Sequence, residues 1–138
     1  MVVLNWLMKT NNINILKEQK CSVGIITLRD DRVLTFKPFE DVTTVNLDDV
    51  KEMYSIFMEL TKGVPHLYYS DNTNLKSLGR EERIYVSTRI QKFASAMAIK
   101  ENSAIVRFIT HTMVHLTNPE ISIKMFKTEE SAINWLKS

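Results

Sequence analysis

Residues 121–138, ISIKMFKTEESAINWLKS, carry the reading that decides the fold. Ile121, Ile123 and Met125 alternate with Ser122, Lys124 and Phe126, which is the period of two that a pleated strand imposes. Thr128 then offers a side-chain oxygen to a helix start, and Glu129 and Glu130 follow where the helix dipole favours negative charge. Ala132, Trp135 and Leu136 fall on one helical face, so Trp135 is expected to dock this last helix on the sheet. A strand handing over to a capped helix points to an α/β chain and assigns no chemistry.

Working back from this ending, Phe108–Thr117 (FITHTMVHLT) reads as a short helix that stops before Pro119, and Ser103–Arg107 (SAIVR) as a buried strand. Arg80–Lys100 reads as one long helix, with Val86, Ile90, Phe93, Ala94 and Met97 on a single stripe. Ser70–Gly79 (SDNTNLKSLG) is crowded with turn formers and reads as a loop after a short strand at Val64–Tyr69. Asn46 caps a first long helix that carries Asp48 and Asp49 in its opening turn. Leu47, Val50, Tyr54, Phe57 and Met58 lie on its inner face, and Gly63 is the expected left-handed stop. Ser22–Leu28 and Val33–Phe36, joined by the polar Arg29–Arg32, form a hairpin, with a further strand candidate at Asn14–Lys17. Pro38, lacking an amide donor, ends pairing of the second hairpin strand or confines it to an edge. The order β, β, β, α, β, α, β, α, β, α predicts a single-domain mixed β-sheet with an N-terminal hairpin followed by alternating α/β units. Helices are expected mainly on one face.

Composition excludes several functions. A chain of 138 residues with 44% hydrophobic content is one domain with room for a core. Eighteen basic and sixteen acidic side chains leave a net charge of +2, too balanced for the footprint of a phosphate-backbone binder. Cys21 has no second cysteine to pair with, so an oxidising compartment is not indicated. The opening MVVLNWLM lacks a basic n-region and is shorter than a signal-peptide core, and no apolar run reaches the roughly 20 residues of a spanning helix. A cytoplasmic protein without a transmembrane segment is expected, with either Met1 or Met8 as its start.

Taken together, the hairpin GIITLRDDRVLTF, the helix opening NLDDVKEMY, the segment GREERIYV, the strand AIVR and the ending IKMFKTEESAINWLKS resemble the bacterial SpoIIAA-like domains of unknown function. These are STAS-related modules whose fold is also similar to that of lipid-binding CRAL-TRIO domains. The most specific part of the resemblance is Phe126, Glu130, Ala132, Trp135 and Leu136 of the ending. It covers residues 11–138, leaving residues 1–10 as an N-terminal extension. It implies a STAS-like, non-catalytic regulatory or protein-interaction module. In anti-sigma-factor antagonists of this kind a Ser or Thr at a helix start is phosphorylated within an Asp-x-Ser motif. The matching region here holds Ser70, Thr73 and Ser77, but Asn74, Leu75 and Lys76 precede Ser77, so the leading Asp is absent.

Several side chains invite a chemical reading, and each has a structural one beside it. Ser70, Asp71, Thr73, Ser77, Arg80 and Arg83 form a candidate partner or switch surface, with the arginines able to meet an anion or an acidic partner. A solvated turn and helix face balanced by Glu81 and Glu82 is the alternative. His111 and His115 share a helical face at metal-ligand spacing. However, Thr112 stands where a zinc protease has its Glu, and His66 lies in a distant strand, so no metal is expected. Nothing near Cys21 lowers a thiol pKa. Three isolated glycines make no phosphate cradle, and no cofactor is expected. Met53, Met58, Met97 and Met113 either fill an irregular core or line an adaptable apolar pocket.

Three functions follow in order. The first is a protein-interaction module, as monomer or homodimer, that engages an unknown partner through Ser70–Gly79 and the helix after it. The second is a carrier of a small apolar ligand or lipid, which requires an enclosed pocket with few polar groups. The third is a histidine-based enzyme, which requires at least two of His66, His111 and His115 to converge in a cleft with a carboxylate.

Overall fold

The computed structural model describes residues 14–117 and 120–138. The expected extension at 1–10, its boundary with a domain beginning at 11, and the alternative starts at Met1 and Met8 lie outside the described residues. Strands β1 (Ile15–Lys20), β2 (Gly24–Arg29) and β3 (Val33–Pro38) are followed by α1 (Leu47–Thr61), β4 (His66–Asp71) and α2 (Arg80–Arg89). The chain continues through β5 (Ala94–Lys100), α3 (Ala104–Thr117), β6 (Ser122–Phe126) and α4 (Glu129–Leu136). The six strands lie side by side in chain order. β1 and β2 pair antiparallel, as do β2 and β3, whereas β3 to β6 run parallel.

This order explains the layering. When a parallel sheet grows steadily in one direction, crossovers of one hand all pass over the same face. Accordingly α1, α2 and α3 share one side of the sheet. Met53, Phe57 and Val106 from that helical layer pack on Ile26, Leu34, Phe36, Tyr68, Met97 and Ile99. The last helix, α4, covers the other face through Ala132 and Leu136 against Val33, Tyr69 and Ala98. The expected mixed sheet with helices mainly on one face is the architecture found.

Local chemistry fixes the ends. The Asn46 side chain accepts from Asp49 N at 2.8 Å while Asp49 Oδ2 accepts from Asn46 N at 2.9 Å, a reciprocal capping box. At the other end of α1 the left-handed stop at Gly63 is found, preceded by a second left-handed residue. Lys62 itself takes the left-handed conformation at φ 55°, and Gly63 follows at φ 75°. In α4, Thr128 Oγ1 accepts from Ser131 N at 3.1 Å as the acid-led start predicts. Ala132 and Leu136 are its deep contacts, whereas Trp135 is half-buried and rests on Phe126 with ring centroids 5.7 Å apart. Gly24 is needed where β2 meets β3, because a Cβ there would sit 2.5 Å from the Lys37 carbonyl oxygen.

Two elements differ from the sequence reading. Residues 80–100 are not one helix: α2 ends at Arg89, a 3-10 turn spans Ile90–Lys92, and Ala94–Lys100 is strand β5. The segment 103–107, expected as the strand, is instead the approach to α3 and its first turn. The apolar stripe was genuine as burial, since Ile90, Phe93, Ala94 and Met97 all enter the helix-side core. It continues across the change of element because the turn keeps the chain on the same side. The alanines that suggest a helix serve another purpose: Ala98, wholly buried, lets Ala132 of α4 approach the sheet. Just after β5, Glu101 is buried. It accepts from Ser103 N at 2.9 Å, Arg107 at 2.9 Å and Lys127 at 3.0 Å, which ties α3 and the residue after β6 to the end of β5.

Candidate functional site

In a parallel sheet the carboxyl ends of the strands leave a crevice where the chain turns away into loops, and ligands of open α/β folds bind there. In this chain the crevice lies on the helix side, above β3, β4 and β5, and two loops roof it. The loops 39–46 and 72–79 are stitched together: Lys76 N donates to Thr43 O at 2.7 Å and Thr44 Oγ1 donates to Ser77 O at 2.9 Å. Arg83 Nη1 donates to Leu78 O at 2.6 Å and fastens the second loop to α2. With the backbone polar groups so engaged, Leu75 and Leu78 turn inward.

Beneath this strap is a cavity of about 90 Å³. Its floor is Phe36, Tyr68, Met97 and Ile99 of the sheet, and its walls come from Val50 and Met53 of α1, Val86 of α2, and Ile109 and Met113 of α3. A smaller chamber of about 50 Å³ lies between α1 and α2, where Tyr54, Phe57, Tyr85 and Phe93 join Val50, Met53, Tyr68, Val86 and Met97. The two spaces therefore share a wall in which Met53 and Met97 are the most adaptable members. Arg89 borders the smaller chamber with its guanidinium 3.7 Å from the centre of the Tyr85 ring and 3.1 Å from the Thr88 hydroxyl.

Besides Tyr68, the polar side chains that line the larger cavity are Ser70, Asp71 and Asn72 at the end of β4, and Thr110 on α3. Ser70, buried at the end of β4, donates to Asn72 Oδ1 at 2.6 Å, and Thr110, buried on α3, donates to Val106 O at 2.8 Å. Burial pushes the Tyr68 phenol well above its ordinary pKa, against a smaller opposing effect of its hydrogen bond with Ser70, so it stays protonated. Burial also raises the Cys21 thiol, against backbone hydrogen bonds that lower it, and the thiolate needed for nucleophilic work is suppressed.

The candidate surface named from sequence separates into four places. Strand β4 runs to Asp71, so alternation sends Ser70 to the helix side and Asp71 to the opposite face, in register with Lys100. Asp71 Oδ1 accepts from Thr73 N at 3.1 Å and from the Thr73 hydroxyl at 2.5 Å, a local turn. Ser77 and Arg80 are exposed on the strap and at the helix start, while Arg83 is half-buried beneath it. Of the four methionines, Met53, Met97 and Met113 line the cavity and Met58 packs on the core beside it. His66 begins β4, at the end of the strand away from the cavity, with Nδ1 2.6 Å from Val64 O; His111 and His115 are exposed on α3. Among the described residues, no group of three or more His, Cys, Asp or Glu side chains could hold a metal ion, and no helix is long and apolar enough to cross a membrane. Asn72 and Thr110 were missed from sequence. Leu75 and Leu78, two leucines in an otherwise polar loop, were a readable sign of a roof.

Residues 26–138 match the family model of a domain of unknown function, DUF7793. Among solved structures, the chain is similar to the crystal structure of an uncharacterized protein from the DUF3478 family with a SpoIIAA-like fold, from Shewanella loihica PV-4. The identity is 16% and the TM-score 0.56, over 90% of this chain and 93% of that one, a likeness of fold. The fold is thus SpoIIAA-like, as the hairpin and the ending implied. No curated protein matches the chain.

Proposed function

We propose that this chain, which belongs to the DUF7793 family of domains of unknown function, is a non-catalytic binding module that takes up a small apolar ligand beneath the strap 72–79. The observation that carries this reading is the cavity of about 90 Å³ at the carboxyl ends of the parallel strands, walled mostly by apolar side chains with few polar groups among them. Its size argues against a whole lipid. With the smaller chamber opened to it, the space approaches the roughly 150 Å³ of an engineered cavity known to hold benzene. The reading places the module in the bacterial cytoplasm, in keeping with one unpaired, buried cysteine.

A protein-interaction and regulatory role is the second reading. It is favoured by Phe108 and Ile105, which are 65% and 49% exposed one turn apart on α3. Ser77 on the strap and Arg80 at the start of α2 supply a polar flank that ligand uptake would move.

The test of the first reading uses protein labelled with carbon-13 at the methionine methyls. Titration with toluene should shift Met53, Met97 and Met113, which line the cavity, and leave Met58 unmoved. Val86→Trp, which fills the space from α2, should abolish the response while the protein stays folded. No response at the three cavity methyls would refute the reading.

A further inference from the structure

The polar groups of the cavity restrict what the ligand can be. Four side chains that line it bear protons on oxygen or nitrogen and lack a charge: Tyr68, whose phenol is engaged with Ser70, and Ser70, Asn72 and Thr110. The Ser70 proton is directed at Asn72 Oδ1 and the Thr110 proton at Val106 O. Among the described residues, Asn72 Nδ2 is left as a donor with no acceptor, on the side chain whose oxygen Ser70 holds. Asn72 is half-buried and lines the cavity, and a carboxamide pinned through its oxygen offers its NH₂ as a donor that a ligand acceptor can engage.

Charge is excluded on separate grounds. Asp71 borders the larger cavity, but strand alternation puts its carboxylate on the α4 face, where Thr73 holds it. Among the described residues, the other ionised side chain at the rim of either space is Arg89, at the edge of the smaller chamber and already stacked on Tyr85. An ion in the Ser70 corner would therefore be buried without a partner of opposite charge, which strongly disfavours its uptake.

We infer that the ligand is an uncharged, compact molecule of about six to eight non-hydrogen atoms carrying one oxygen acceptor, such as a small ketone, lactone or ester, whose oxygen is bound by Asn72 Nδ2. The inference rests on the cavity being a ligand site, and it names the chemistry of that site.

Four probes of one skeleton test it: cyclohexanone, its hydrocarbon isostere methylenecyclohexane, cyclohexanecarboxylate and cyclohexylammonium. Binding is followed at the methionine methyls of the wild-type chain and of Asn72→Leu. Cyclohexanone and methylenecyclohexane should both bind, and the two ions should not. Asn72→Leu should weaken cyclohexanone about three- to tenfold, the value of one neutral hydrogen bond, and leave methylenecyclohexane within about twofold. A second readout needs no variant: the carbonyl carbon-13 signal of cyclohexanone should move downfield on binding to the wild type. Uptake of the carboxylate or the ammonium as tightly as the ketone would overturn the inference and leave the cavity a ligand site. So would equal weakening of ketone and hydrocarbon by Asn72→Leu with no carbonyl shift in the wild type. Silence of the methyls toward all four probes would overturn both the inference and the reading beneath it.

Discussion

Replacing Glu101 with Gln isolates the worth of one buried carboxylate. Its side chain is 4% exposed and is held by Arg107, Lys127 and Ser103 N, whereas Arg107 and Lys127 are 43% and 63% exposed. The two cations rehydrate when the charge is removed, so each lost ion pair costs about 0.5–1 kcal/mol. Ser103 N, two residues after Glu101, exchanges a charged acceptor for a neutral one or none, for about 1 kcal/mol. The expected loss at pH 7 is therefore about 2–3 kcal/mol, or on the order of 10 °C in Tm for a domain of this size. Burial pushes this carboxyl upward, but hydrogen bonds from Lys127 and Ser103, with the charges of Lys127 and Arg107, outweigh it and hold its pKa below the ordinary glutamate range. A carboxyl depressed on folding stabilises fully above its unfolded pKa, and that contribution disappears as the pH falls through the folded value. The gap between wild type and Glu101→Gln should accordingly be constant from pH 7 to about 5 and close below 4.5. Urea unfolding of both proteins at pH 7, 5, 4 and 3.5 measures it. A gap under about 0.5 kcal/mol at pH 7, or one that persists unchanged at pH 3.5, would refute the reasoning.

Two backbone predictions accompany it. Gly24→Ala should destabilise by about 1–3 kcal/mol, because the new Cβ would meet the Lys37 carbonyl and Pro38 Cα, at 2.5 and 2.6 Å, and neither is a side chain that can swing away. Denaturant melts decide it, and a neutral result would mean that β2 and β3 can separate there at no cost. Lys62→Gly should stabilise by about 0.5–1 kcal/mol, since the left-handed φ of 55° is strained for lysine and free for glycine. A fall in the urea midpoint would show instead that the lysine side chain contributes more than its backbone strain costs.

What the sequence shows of this molecule depends on whether a signal is local. Asn46 and Thr128 cap helices through bonds that span three residues, and both were legible for that reason. β5 was not, because its Ala96 and Ala98 are selected by α4, which packs on them from more than thirty residues downstream. Such distant selection leaves no period in the segment itself. The cavity was legible in its methionines but not in its polar groups. Whether Ser70 or Asp71 faces inward depends on the parity of β4, and a strand that runs two residues past its expected end cannot be given a parity from composition. The same parity divides the six residues first grouped as one surface.

The strictly sequential strand order also bears on how the chain is built during translation. Each strand pairs with the one synthesised before it, so the sheet can extend as the polypeptide emerges, with no early strand kept waiting for a distant partner. The face under α4 is the exception. Val33, Tyr69 and Ala98 are in place long before Ala132 and Leu136 leave the ribosome. Until then the nascent domain shows an uncovered apolar surface, and the closing helix ends its exposure to chaperones and to aggregation.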